Sequence, residues 1–433
     1  MELLISEIEK YLIRLFGVNR SLTGNGNRKT LAILQEIIPL NIIEYNSGES
    51  VFDWTIPDEW SVSDAWIKTS EGKKIVDFKK SNIHLVGYSK PINNEMTFLE
   101  LKDHLYTHPT INDAIPYRTS YYKKDWGFCV TRDQYNLLSN IKGKVQVYID
   151  SEFKSNGSLS IGEFLIPGRS KKEILISTYI CHPSLANDNL SGMLLSAFLA
   201  RNIVKQNLCN YSYRFVWVPE TIGAIAYCAY NQDVIKNIKT GLVVTTVGGP
   251  GKFGYKQSLD ERNRLNSIIE QVFEKNSIDY VTYPFDINGS DERQYSSQGF
   301  GMNVATITKD KYYEYEYYHS SKDDLSFVRP EYIAQSLDIY VQVLSTLDKE
   351  EYYLSNIPNC EIMLSKYNLH SGIGGDRLPN FKKYSELDLI RWLMLLSDGE
   401  TSIGEISDKL DIDCKILTQI SKKLTKLKVL KSI

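Results

Sequence analysis

His182 and Asp188 stand six residues apart in Cys181-His182-Pro183-Ser184-Leu185-Ala186-Asn187-Asp188-Asn189-Leu190-Ser191-Gly192, directly after a β-branched apolar run. Imidazole and carboxylate are preferred Zn²⁺ ligands at about 2.0 to 2.2 Å, and a Pro/Asn/Gly loop is sharp enough to fold both onto one ion. A lone carboxylate, Glu220, follows a second apolar run in Arg214-Phe-Val-Trp-Val-Pro-Glu220-Thr-Ile-Gly223. A loop histidine, His319, comes later in Tyr317-Tyr318-His319-Ser320-Ser321-Lys322-Asp323-Asp324, with acids four and five positions on. In open α/β sheets ligands bind beyond the carboxyl ends of strands, where all three segments fall. The set predicts a hydrolytic site holding one zinc ion through His182, Asp188 and His319, with Glu220 as general base. Bound zinc lowers the pKa of its water towards about 7. Asp323 or Asp324 is expected to accept the free ring N–H of a ligating histidine.

These donors need strands that end beside one another. Val145 to Ile149, Glu173 to Tyr179, Tyr213 to Val218, Leu242 to Val247 and Asn303 to Thr308 are β-branched apolar runs, several followed by helical patterns. They predict an α/β domain with a mostly parallel sheet flanked by helices. Residues 2 to 16 have helical spacing, Gly24, Gly26 and Asn27 interrupt it, and a second helix is expected from about Lys29 to Ile38. Short β-rich pieces punctuated by Gly48, Pro57, Gly72, Gly87 and Pro91 predict a small β-rich insert over 46–114, between catalytic segments 1–45 and 115–350. A polar connector over 351–380, containing Pro358, Gly372, Gly374, Gly375 and Pro379, precedes three helical patterns and a short strand. That order predicts a winged helix-turn-helix domain over 381–433.

The zinc-site residues resemble the zinc aminopeptidases of the exopeptidase superfamily, whose members often use two metals. The likeness lies in a strand with His and Asn-Asp-x-x-Ser-Gly, a strand with Glu and Gly three residues later, and a final Tyr-His-Ser with an acid following. It implies His182, Asp188 and His319 as metal ligands and Glu220 as base, and it places Asp291 of Gly289-Ser290-Asp291 near the cleft. Two positions depart from the family pattern: Thr221 stands where a second Glu ligand is expected, and Thr245 and Thr246 where an Asp ligand is expected. Each metal position of a two-metal centre thereby loses one carboxylate, which leaves a single zinc.

At whole-chain scale the sequence is similar to a bacterial family of aminopeptidase-like proteins with a small inserted domain and a C-terminal winged helix. The carriers are Asn19-Arg20-Ser21-Leu22-Thr23-Gly24, Phe52 to Trp60, Ile115 to Tyr122, Trp126 to Cys129 and Gly289 to Arg293. Association of such proteins with surface polysaccharides implies a substrate with an amino sugar or amide-linked group.

Composition narrows the rest. A chain of 433 residues allows two or three domains, and a net charge of -3 gives no global attraction to nucleic acid or to an anionic membrane. Six scattered cysteines without a CxxC pair suit reduced thiols, the acidic start is no signal peptide, and no apolar run nears the roughly 20 residues of a membrane span. A cytoplasmic protein without membrane association is expected. The last helical pattern carries Lys415, Lys422, Lys423, Lys426 and Lys428, yet 381–433 holds ten Lys/Arg against eight Asp/Glu, which favours protein contact over DNA binding.

Other motifs have plainer explanations. His104 and His108 share a helical spacing that Pro109 cuts short, so capping or packing is expected. The glycine-rich 248–254 matches no phosphate-binding fingerprint and is taken as a turn. Asp291, Arg293 and Tyr318 form the expected substrate-binding set, with Arg293 either clamping a substrate carboxylate or making an ordinary ion pair. The expected activity is cleavage of an amide or peptide bond in a small amine-bearing substrate. The alternatives are a catalytically degenerate metal-binding or ligand-binding protein and a DNA-binding regulator, and a homo-oligomer is compatible with each.

Overall fold

Glu2–Phe16 forms a helix because its apolar residues recur at helical spacing, and it buries Ile8, Tyr11, Leu12 and Leu15 on one face. The next helix is Asn25–Leu34, four residues earlier than the sequence suggests, because Gly24 (φ +102°) makes the turn and Gly26 and Asn27 are inside the helix. The computed structural model describes residues 2–121, 123–207, 210–369 and 384–433. Two compact units result: Met1–Glu261 with Leu265–Leu344, and Arg262–Arg264 with Ser345–Ile433.

The first unit is built on eight strands: β1 (Asn41–Asn46), β2 (Ser158–Ile166), β3 (Glu173–Tyr179), β4 (Ser212–Val218), β5 (Ile238–Val244), β6 (Phe253–Lys256), β7 (Tyr280–Tyr283) and β8 (Asn303–Thr308). They lie in the order β1-β2-β4-β3-β5-β8-β6-β7. The central β4-β3-β5-β8 run is parallel, while β1 and β2 on one side and the β8/β6 pair on the other are antiparallel, so the sheet is mixed. Every residue of β3 and β4 is buried, as expected for strands covered on both faces. Helices Gly192–Gln206 and Ile222–Tyr230 follow them, and Trp217 Nε1 donates to Met193 O at 3.2 Å to lock the first onto the sheet. Strand β5 stops before the expected Val247, because Thr245 and Thr246 leave the ladder to hydrogen-bond Tyr179 and Thr308 through their hydroxyls.

One expected strand belongs elsewhere. The run at Val145 to Ile149 lies in Lys144–Lys154, which pairs antiparallel with Glu59–Lys68 and Ile92–Thr97 in a separate four-stranded sheet completed by Lys74–Asp77. Its alternating burial, with Val145, Val147, Ile149 and Ser151 inward, is that of a strand with one wet face. The small sheet therefore draws on residues beyond the 46–114 span, and its core is continuous with that of the large sheet.

The second unit holds helices Glu386–Leu396, Ile403–Leu410 and Cys414–Lys426. The first two start in capping boxes, Ser385 with Asp388 and Ser402 with Glu405. Part of the expected connector is structured: Tyr352–Ser355 is the central strand between Asp398–Ser402 and Leu430–Ser432, and Tyr353, Ile362 and Leu364 join the core. Gly372, Gly374, Gly375 and Pro379 of that connector, residues 381–383, Tyr122 and Cys209 lie outside the described residues. Among the described residues no helix is long and apolar enough to cross a membrane, and Cys129, Cys181, Cys228, Cys360 and Cys414 are free.

Arg214 on β4 ties three strands. Its guanidinium pairs with Glu173 of β3 (Nη2 to Oε1, 3.0 Å) and with Glu163 of β2 (Nη1 to Oε1, 2.6 Å), all at low exposure. Arg214→Ala would leave two largely buried carboxylates without their cation and is expected to cost about 3 to 5 kcal/mol, read as a fall in the urea midpoint. An unchanged midpoint would show that the pair carries no such weight.

Candidate metal centre

His182 follows β3 after Ile180 and Cys181 and is 4% exposed. Its backbone is fixed from the loop after the N-terminal helix: Arg20, itself 1% exposed, donates from Nε to His182 O (2.8 Å) and from Nη1 to Leu15 O (2.7 Å). Ser184 Oγ donates to Phe16 O at 3.0 Å. The Asn19-Arg20-Ser21 stretch thus anchors the His182 loop, a role that its sequence alone did not announce.

Each residue of the following turn has a task. Asn187 Oδ1 accepts the Gly248 N–H (2.8 Å), and Ser191 Oγ donates to Asn187 O (2.8 Å). Asn189 Nδ2 donates to Thr178 Oγ1 (2.9 Å), Tyr179 O (3.2 Å) and Val244 O (3.2 Å), tying the turn to β3 and β5. A Cβ on Gly192 would stand 2.1 Å from Asn189 Oδ1 and 2.5 Å from Val244 O, so only glycine fits there. The Asp188-Asn189 peptide is cis.

Asp188, 1% exposed, accepts a short hydrogen bond from the Tyr179 hydroxyl on Oδ1, and that hydroxyl also meets Thr245 Oγ1 at 2.6 Å. Its Oδ2 lies 3.0 Å from His319 Nε2, yet makes no hydrogen bond among the described residues. Ligand atoms of His182, Asp188 and His319 all fall within 4.8 Å of one another. Burial pushes the His182 imidazole down to about 4, while for Asp188 burial is outweighed by His182 and His319, which hold it at about 2. Near neutrality the set is a neutral imidazole beside an ionised carboxylate, the protonation states that zinc takes. A buried carboxylate oxygen left without a hydrogen bond between two imidazoles fits a divalent cation.

His319 sits at φ +53° on its loop. The Tyr318 ring stacks on it at 3.9 Å (14°), and Tyr117 stands edge-on at 5.1 Å on another side. Tyr117 also meets the His182 ring at 5.0 Å, and its N–H donates to His319 O at 2.7 Å. Tyr117 and Tyr179 are therefore site residues that the sequence pattern hid among tyrosine clusters and apolar strands.

Glu220 ends β4 through Pro219. Its ligand atom lies within 4.8 Å of those of His182 and Cys181. The turn that aims it is held from two sides: Glu220 N donates to Cys181 Sγ (3.3 Å), and Thr221 N donates to Asp291 Oδ1 (2.7 Å). Thr221 has φ +66°, a costly conformation for a β-branched residue. Burial, then Asp291 and Asp188, push the Glu220 carboxyl well above its usual range. Asp291, 1% exposed, is raised to about 7 by burial, and its Oδ2 has no hydrogen bond among the described residues.

The remaining expectations fare differently. Asp323 accepts the N–H groups of Asn187 (2.6 Å) and Asp188 (2.9 Å) and the Tyr315 hydroxyl (3.0 Å). Asp324 caps Ser326. Neither acid bonds a ligand histidine, contrary to expectation: the Asp188 turn offers two backbone donors that capture Asp323 first. Thr221 and Thr246 bring no carboxylate, and the Thr246 hydroxyl bonds Thr308 at 2.6 Å. Arg293 is exposed and donates to Ile287 O at 3.0 Å, and it makes no ion pair among the described residues. His104 packs on Trp126 and His108 accepts the Ile111 N–H (3.0 Å), in keeping with structural roles. At the glycine-rich turn the Asp310 carboxylate already bonds Gly251 N at 3.0 Å, where a phosphate would be repelled.

Asp323 thus orients Asp188 through the backbone. Asp323→Ala is expected to weaken zinc binding about 10- to 100-fold in a chelator competition, with an unchanged far-UV spectrum. Affinity equal to that of the parent chain would contradict the role.

The comparisons agree with this architecture. A family model described as a domain of unknown function (DUF4910) matches residues 9–350. A Clostridium acetobutylicum protein, named for polysaccharide biosynthesis and an aminopeptidase-like domain, is 39% identical over 427 residues, covering 99% of this chain and 96% of its own length. A crystal structure from Clostridium acetobutylicum, named for a peptidase, is 38% identical over 99% of this chain and 96% of that one, with a TM-score of 0.80. BSAP, a zinc aminopeptidase from Bacillus subtilis, is 12% identical over 79% of this chain and 94% of its own, with a TM-score of 0.59, a likeness of fold. With most of its length under one family model and a relative 39% identical end to end, this chain belongs to the DUF4910 family, on an aminopeptidase-like mixed α/β fold.

Proposed function

We propose that the chain is a zinc-dependent hydrolase of aminopeptidase type, using one ion held by His182, Asp188 and His319 and a general base, Glu220. The observation that carries it is the convergence of two imidazoles and a buried carboxylate within 4.8 Å, with Glu220 in a second such group that shares His182. Zinc bound there supplies a Lewis acid for the scissile carbonyl and acidifies water. Glu220 takes the proton from the attacking water and returns it to the leaving amine nitrogen. Its burial beside two other acids suits that cycle, since a raised pKa makes the protonated form a usable acid. Asp291 and Cys181 hold the turn that points Glu220, and Tyr117 and Tyr318 wall the two histidines.

The substrate we infer is a small amine-bearing amide or peptide. An amino-sugar-linked amide is the form suggested by the relative named for polysaccharide biosynthesis. The free cysteines accord with a reducing, cytoplasmic setting. For the second unit we keep the winged-helix assignment with a protein-contact role. Lys423 pairs with Glu386 (2.7 Å) and Lys422 approaches Glu351 (3.6 Å), which reduces the bare positive face that DNA would need.

Thr221 and Thr246 favour a second reading, a degenerate member that binds metal without turnover. One variant separates the two. Glu220→Gln is expected to keep zinc at the parent stoichiometry while hydrolysis of aminoacyl amides falls about 10²- to 10⁴-fold. Equal turnover in parent and variant, or none in the zinc-loaded parent across a broad amide panel, would favour the degenerate reading.

A further inference from the structure

The segment after the insert does more than carry Tyr117. On one side it is zipped to the His319 loop: Ser321 N donates to Ile115 O (2.8 Å), Ile115 N donates to Ser321 Oγ (3.0 Å), and Tyr117 N donates to His319 O. On the other side it is zipped to the insert: Gly87 N donates to Arg118 O (2.9 Å) and Ser120 N donates to Gly87 O (3.0 Å). The six residues 115–120 thus bridge the His319 loop and the small β-rich region.

Beside this segment is a cavity of about 520 Å³, lined by Tyr106, Trp126, Tyr121, Arg118, Lys123 and Ser120 among others. Tyr106 and Tyr121 are exposed, while Trp126 is buried and stacked on His104 at 3.8 Å, which fixes that wall. Arg118 uses Nη1 on Tyr117 O (2.9 Å), and its other guanidinium N–H groups have no partner among the described residues. Lys123 is exposed, and the single acid of the lining, Asp125, accepts the Trp126 N–H at 2.8 Å. The cavity borders the histidine pair: Arg118 on its wall is bonded to Tyr117, whose ring lies 5.0 Å from that of His182 and 5.1 Å from that of His319.

We propose that this cavity is a substrate subsite for an anionic sugar residue, seated with its C–H face on Tyr106 and Tyr121 and its carboxylate on Arg118. A pyranose is amphiphilic in the required way, with an apolar face for aromatic rings and a hydroxyl rim for short polar groups such as Ser120. The free fork of Arg118 matches a carboxylate in geometry and charge. An aromatic peptide side chain would use the rings and leave the cations and hydroxyls idle. The proposal rests on the hydrolase reading only for the place of this sugar within a substrate.

Saturation-transfer NMR with D-glucuronate as probe, beside D-glucose and phenylacetate, tests it on the full chain. Glucuronate should receive saturation on its ring protons and bind more tightly than either comparator. Arg118→Ala should weaken it about tenfold or more, the loss of a charge-assisted contact, and Tyr121→Ala should reduce ring saturation. Far-UV circular dichroism of the same samples shows whether each variant is folded, and zinc content measured beside it reports on the metal centre separately from the subsite. Tighter binding of phenylacetate, no saturation of glucuronate, or unaltered affinity in both folded variants would overturn the proposal.

Discussion

A carboxylate withdrawn from water must be met by positive charge or by donors, or it gives up its ionisation. Asp188 meets this constraint at 1% exposure, with one oxygen on the Tyr179 phenol and the other facing His319 without a hydrogen bond. The His182 imidazole beside it is a poor permanent counter-charge, since burial favours its neutral form. A divalent cation answers all three groups at once. The remaining architecture can be understood as what holds this anion and these rings in place.

Three scaffolds converge on it. Parallel strands β3, β4 and β5 end side by side and deliver His182, Glu220 and the threonines of 245–246. The turn bearing Asp188 is fastened by Asn187, Asn189 and Ser191 to its neighbours and by Asp323 from the His319 loop, so the Asp188 and His319 loops are mutually supporting. The loop after the N-terminal helix contributes Arg20, buried and bonded to His182 O, and the segment through Tyr117 closes over both rings. Thr221 and Thr246 serve a backbone turn and a hydroxyl pair and take no part in the His182, Asp188 and His319 group.

Much of this was legible in the chain. The meeting of His182, Asp188 and His319 was legible because strand-end His and Asp, loop Asn and Gly, and a late Tyr-His-Ser have few other reasons to occur in that order. The parallel strands were visible as continuous apolar runs. Lys144–Lys154 was misplaced because Val145, Val147 and Ile149 look like such a run, although Lys144, Gln146 and Asp150 supply the alternation of a half-wet strand. Tyr352–Ser355 escaped because its partners, Asp398–Ser402 and Leu430–Ser432, are far away in sequence. Arg20, Tyr117 and Tyr179 were hidden for a different reason: each reaches the site through contacts that exist only after long-range closure, and Asp323 was drawn from the histidine by two backbone N–H groups that no spacing rule reveals.

The claim on which this account turns is the location of the ion. Crystals grown with zinc, measured at the zinc absorption edge, should give one anomalous peak about 2.0 to 2.2 Å from a nitrogen of His182, a nitrogen of His319 and an oxygen of Asp188. A map with no peak among those three side chains, or with its peak at a different set of donors, would contradict it.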